Sequence, residues 1–210
     1  LNTDQRPKVD EYADYIFIVA RFFEYEAVTG TVGSDQVSIV LGADFVLTFQ
    51  ERPTGTFDPL RERLRGDKGQ IRKLGADYLA YSLLDTLVDR YFAVLEQLTE
   101  RTEALEDKLL LQATPALLKE IHEIKREAMV MRRAVWPLRE VINSLTRADQ
   151  RFFKPETQPY LRDIYDHTVH VIESLEGIRD LIAGMLDIYL SSISNRVNLE
   201  VRILTVITTL

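Results

Sequence analysis

Two rhythms of apolar residues divide this chain of 210 residues. Between Tyr12 and Gln50 the segments "YIFIVARFFEY", "DQVSIVLG" and "FVLTFQ" are rich in aromatic and β-branched residues, and Gly30, Gly33, Gly42 and Asp44 punctuate them. Such residues suit a pleated, half-buried surface and the breaks suit turns, so the stretch predicts two β-hairpins. Next comes "PTGTFDPLRERLRGDKGQIRK", a turn, a short helix with Pro59 near its start, and a Gly-rich break.

From about Lys73 the period changes to alternating steps of three and four. Leu84, Val88, Tyr91, Leu95, Leu98, Thr102, Leu105 and Leu109 form the seam of a first long helix, which Thr114-Pro115 ends. Leu117, Ile121, Ile124, Ala128, Met131, Val135, Leu138, Ile142 and Leu145 form the seam of a second, with Pro137 inside it as an expected kink. A third starts near Pro159 with Leu161, Ile164, Thr168, Val171, Leu175, Ile178, Ile182, Met185 and Tyr189, and no internal Pro interrupts it. At a rise of about 1.5 Å per residue it would run roughly 75 Å, more than a domain of this size needs for its own core. Such a helix connects two places or assembles with copies of itself.

Composition narrows the function. The chain is 46% hydrophobic and 28% charged, and therefore folded, while a net charge of −7 disfavours nucleic acid and suits a surface that attracts cations. It has no cysteine, which removes disulfides, thiol chemistry and Cys-based metal sites. No initiator Met or leader opens it, so it reads as a fragment. The turn "TGTVGSD" lacks the Gly-Lys-Ser/Thr ending of a phosphate loop and reads as a hairpin turn. No nucleophile and base pair up along the chain, so an enzyme is not expected.

Candidate chemistry lies in the acids. Asp166, Glu173, Asp180 and Asp187 recur every seven residues, with Ser194 next in register. On one chain they form a solvated helix face; around an axis of parallel copies each becomes a ring of the kind that lines cation pathways. Asp163, His167 and His170 share a helix face near the start of the third helix, so a Zn2+, Co2+ or Ni2+ site is geometrically open, whereas carboxylates alone suit Mg2+. Asp77, Asp85 and Asp89 lie on the first long helix, and Asp85 with Asp89 makes a like-charge i,i+4 pair that a cation or Arg90 would relieve. The basic run Arg61, Arg63, Arg65, Lys68, Arg72 and Lys73 is interspersed with Glu62 and Asp67 and reads as solvated. The ending "VRILTVITTL" follows Arg196 and Arg202 with eight uncharged residues, too few to span a bilayer, and reads as a truncated transmembrane helix with the rest of the chain on its cytosolic side.

The segments "NTDQRPKVDEY", "FDPLRERLR", "ADYLAYSLLDTLVDRYF", "WPLRE", "YLRDIYDHT" and "MLDIYLSSISNRVN" closely resemble, in register over almost the whole chain, the cytoplasmic part of CorA-type magnesium channels. The resemblance implies an α+β chain in three parts. Residues 1–72 would be a partial β-sheet layer, an α/β/α domain lacking its N-terminal part; 73–154 a long antiparallel helical hairpin; and 155–210 a very long stalk helix entering the first membrane span. It implies a homopentamer at the inner (plasma) membrane, with this chain on the cytoplasmic side, passing Mg2+ and often Co2+ or Ni2+ inward. It also implies that the chain ends before the Gly-Met-Asn signature of the pore.

Matched motif by motif, Asp163 falls at the intersubunit regulatory Mg2+ site and Asp85 at a secondary regulatory position, with His167 beside them as a further candidate ligand. Asp187, Ser194, Asn198, Val201 and Leu204 fall at pore-lining positions, the last two at the hydrophobic constriction. Val201 stands where some members carry Met. Two alternatives stay open: a related zinc transporter of the same architecture, and a soluble coiled-coil scaffold.

Overall fold

The computed structural model of the chain describes residues 5–66, 69–147 and 152–208. Asp67 and Lys68 of the basic run, the first four residues of the chain and the last two of its tail lie outside them.

Among the described residues four strands form an antiparallel meander: β1 (Lys8–Glu11), β2 (Tyr15–Glu26), β3 (Thr31–Gly42) and β4 (Val46–Gln50), in that spatial order. β2 and β3 pair over their full length, with Ala20 opposite Val37, Ile18 opposite Ile39 and Ile16 opposite Leu41. These six side chains share one face, because cross-strand partners do, and all are buried. The β2–β3 turn is the hairpin expected at "TGTVGSD": Gly30 donates to the carbonyl of Glu26 at 2.8 Å with a φ of 68°, in the left-handed region that favours glycine. The pattern of apolar residues did not anticipate β1. Its sequence Lys-Val-Asp-Glu has no apolar alternation, and it is held at an edge of the sheet by pairing of Val9 with Ile18.

Among the described residues four helices follow: α1 (Asp58–Arg65), α2 (Ala76–Leu111), α3 (Pro115–Leu145) and α4 (Gln158–Thr208). α2 begins after Gly75, whose φ of 98° again belongs to glycine. α3 begins at Pro115 behind the N-cap Thr114, whose hydroxyl oxygen accepts from the backbone N–H of Leu117 at 3.4 Å. It continues through Pro137 as one helix.

Every residue named in the three seams is buried. Even the seam threonines fit, because Thr102 and Thr168 donate their hydroxyls to the carbonyls of Leu98 and Ile164, four residues back, at 2.7 and 2.8 Å. The long helices pack against one another, and α2 and α3 also meet the sheet. Ion pairs tie the bundle at its surface: Arg101 with Glu127 across α2 and α3 at 2.6 Å, and Arg132 with Glu176 across α3 and α4 at 2.7 Å.

α4 outruns its partners. Its seam is buried as far as Tyr189, whereas Leu190, Val197, Leu199, Val201, Ile203, Leu204 and Ile207 are exposed. The helix is thus a packed rod followed by a projecting one, and its 51 residues correspond to about 75 Å.

Candidate functional site

The acids of α2 and the start of α4 meet beside a half-buried aromatic surface. Asp85 is half-buried on α2, one turn before the exposed Asp89 and one turn after the buried Tyr81. Loss of hydration is the largest influence on its carboxyl group and raises its pKa above the ordinary carboxylate value. Asp89 and, more weakly, Asp163 push the same way by like-charge repulsion, while His167 and the nearby Tyr81 hydroxyl oppose them. The Tyr81 phenol is in turn pushed well above its usual range, by burial first and then by Asp85, Tyr78 and Asp163. Asp85 on α2 and Asp163 on α4 therefore lie within electrostatic reach of each other and of one tyrosine. Arg90, the intramolecular candidate for neutralising the pair, makes no ion pair with either acid.

On α4, Asp163 Oδ1 stands 3.9 Å from His167 Nε2, and both side chains are substantially exposed. His167 Nδ1 is buried without a hydrogen-bond partner among the described residues. The imidazole stands edge-on to Phe92 of α2, with ring centroids 5.9 Å apart and planes at 87°. His170 also contacts this ring, with centroids 5.9 Å apart and planes at 31°, and its nearest carboxylate among the described residues is that of Glu173 at 3.9 Å rather than that of Asp163. The expected Asp163, His167 and His170 set is therefore split, and among the described residues no three His, Asp or Glu side chains form a group that would hold a metal ion.

Asp77 belongs elsewhere. It is 3% exposed, and its Oδ2 accepts from the hydroxyl of Thr157 at 2.7 Å and the backbone N–H of Lys154 at 3.0 Å, which makes it a structural clamp. The described residues of the basic run are solvated as expected, with Arg61 paired to Asp58 at 2.7 Å and Arg72 donating to the carbonyl of Leu64 at 2.6 Å.

Asp187, Ser194, Asn198, Val201 and Leu204 are all exposed on α4. The last four lie on the projecting part, where Val201 is 55% and Leu204 60% exposed. Among the described residues no helix is long and apolar enough to cross a membrane.

Sequence reasoning missed Tyr81 and Phe92. The first was within reach, because Tyr81 and Asp85 stand four apart on a helix and must face the same way. The second depends on how α2 and α4 pack, for which no local pattern gives a signal.

Comparison with known proteins agrees with this architecture. A family model described as "CorA-like Mg2+ transporter protein" matches residues 1–210. The cobalt/magnesium transport protein CorA of Thermotoga maritima is 44% identical over 210 residues, which are all of this chain and 60% of that protein. The complete structure of the CorA magnesium transporter from Methanocaldococcus jannaschii superposes with a TM-score of 0.87 at 22% identity, covering 100% of this chain and 65% of that one. The ZntB cytoplasmic domain from Vibrio parahaemolyticus is more distant, with a TM-score of 0.72 at 13% identity, covering 91% of this chain and 75% of that one. At these identities the two solved structures speak for the fold.

Proposed function

This chain belongs to the CorA-like Mg2+ transporter family, and from that premise we propose that it is the cation-sensing part of a homopentameric channel carrying Mg2+, with Co2+ and Ni2+ as further cargo. In this reading residues 1–72 are a sheet module, 73–154 a supporting hairpin and 155–210 the stalk. The chain sits on the cytoplasmic side of the inner membrane, and Asp187, Ser194, Asn198, Val201 and Leu204 line the axis.

The observation that carries the proposal is the electrostatic proximity of Asp85 and Asp163, on different helices, with Asp89 adding repulsion and no Lys or Arg among the described residues paired to them. Their chemistry fits the ion: carboxylate oxygens suit Mg2+, which keeps most of its waters and asks a protein for one or two ligands. The remaining donors would come from a neighbouring subunit. His167 adds a softer nitrogen donor, which suits Co2+ and Ni2+ better than Mg2+.

Sensing follows from electrostatics. With Mg2+ bound between subunits, the carboxylates attract a shared ion and hold a symmetric closed assembly; without it, they repel and the subunits loosen. An ion at ten times its dissociation constant favours its bound state by about 1.4 kcal/mol, so five sites supply roughly 7 kcal/mol. Driving a two-state equilibrium from 1:99 to 99:1 takes about 5.5 kcal/mol. Weak sites are therefore sufficient if opening abolishes them. The zinc alternative rests on likeness of fold alone.

The test is limited proteolysis of the full-length protein over a Mg2+ titration. Asp163→Ala is expected to need about tenfold more Mg2+ for the same protection. An unchanged Mg2+ midpoint would remove Asp163 as a sensor.

A further inference from the structure

α3 carries a second charged feature that cation sensing does not use. His122, Lys125, Arg126, Met129, Val130 and Arg133 recur at steps of three and one, so they share one helix face, and together they line a cavity of about 330 Å3. A neighbouring cavity of about 360 Å3 shares Val130 and Arg133 and continues to Arg6, Pro7, Arg21 and Ser34 at the sheet. The two form one groove. No Asp or Glu is among the described residues that line either cavity, although the chain has 33 acidic residues against 26 Lys and Arg.

Pairing adds to this: some surface cations, Arg52, Arg61, Arg101, Arg132 and Arg179, sit on carboxylates. Arg6, Lys125, Arg126 and Arg133 make no hydrogen bond or ion pair to any described residue, and all four are exposed. From His122 to Arg133 the helix rises about 16 Å. Like charges packed this closely repel, at a cost that an anion would relieve.

We propose that this groove between α3 and the sheet binds an anion carrying two or more phosphate groups. One carboxylate or one phosphate would satisfy only part of a row of cations this long. Linked phosphates supply dense charge over a short distance, and a guanidinium engages each phosphate through two parallel N–H donors. A long polyanion is disfavoured by the net charge of −7. Met129 and Val130, 45% and 43% exposed at the middle of the groove, offer an apolar seat for the body that bears the phosphates. A free polyphosphate and a diphosphate lipid headgroup share this chemistry.

The test is calorimetric titration of the chain with inorganic tripolyphosphate in EDTA, which excludes any contribution from the Mg2+-sensing acids. Orthophosphate serves as comparison, and cosedimentation with cardiolipin-containing vesicles as a second arm. Tripolyphosphate is expected to bind at least about tenfold more tightly than orthophosphate, weakening as salt rises. Arg126→Gln with Arg133→Gln should reduce that affinity about tenfold or more, and so should Lys125→Gln with Arg126→Gln, while Arg65→Gln on α1 leaves it unchanged. Vesicle binding that tripolyphosphate displaces, and that the same variants lose, identifies a lipid headgroup as the source; tripolyphosphate binding without vesicle binding identifies a soluble one. Equal affinity for orthophosphate, or double variants that bind like the parent, overturns the site.

Discussion

Asp77 and Thr157, eighty residues apart in sequence, are joined by a hydrogen bond of 2.7 Å that fastens the first turn of α2 to the start of α4. The same carboxyl oxygen also takes the backbone N–H of Lys154, so both helices are registered at one buried side chain. That side chain lies in the first turn of α2, where acidic residues complement the free backbone N–H groups. Asp77→Ala leaves a buried hydroxyl and a part-buried main-chain N–H without their acceptor and should cost about 2–4 kcal/mol in urea unfolding. Asp77→Asn keeps an acceptor oxygen and should cost about half as much. Equal losses for the two would mean that the charge, not the acceptor, matters.

Tyr91 fixes the sheet to the same helix. It is fully buried against Phe23, and its hydroxyl donates to the carbonyl of Arg21 on β2 at 2.5 Å. Burial pushes its phenol far above the ordinary value, so it remains a donor across all working pH. Tyr91→Phe keeps the ring packing and removes only the hydrogen bond, so a loss of about 1–2 kcal/mol is expected, with the far-UV spectrum unchanged. A variant as stable as the parent would show that the carbonyl finds another donor.

The helical part of the fold was legible because a seam repeats. Leu84 to Leu109, Leu117 to Leu145 and Leu161 to Tyr189 each carry enough turns for periodicity to fix which face is buried. β1 was not legible, because an edge strand of four residues is defined by its partner and not by its own composition. The site divides the same way. Asp85 and Asp89 could be paired from their spacing, but Asp77 looked like a third member of their cluster until its long-range partners showed it to be a clamp. Likewise His170 shares a face with Asp163 on paper, yet it turns to Phe92 and Glu173, because Phe92 reaches α4 from another helix.

Asp85 sets a pH dependence whose sign follows from its surroundings. Burial and Asp89 hold its folded pKa above the ordinary carboxylate value, so the folded chain binds a proton at Asp85 more readily than the unfolded chain does. The resulting destabilisation is fully present above the folded pKa, fades as pH falls through it, and is gone below the unfolded value of about 3.9. Asp85→Asn removes the charge, so in EDTA at pH 7 the variant should be more stable than the parent. The i,i+4 repulsion with Asp89 alone corresponds to about 0.3 kcal/mol. The gain should shrink toward zero by about pH 3.5. If the acids of this cluster hold a cation, Mg2+ should also narrow the difference at pH 7, because the ion neutralises the same charge. Thermal melts of parent and variant across pH, with and without Mg2+, read all three effects. A variant less stable than the parent at pH 7 in EDTA would show that Asp85 is already neutralised within the chain and has no need of an ion.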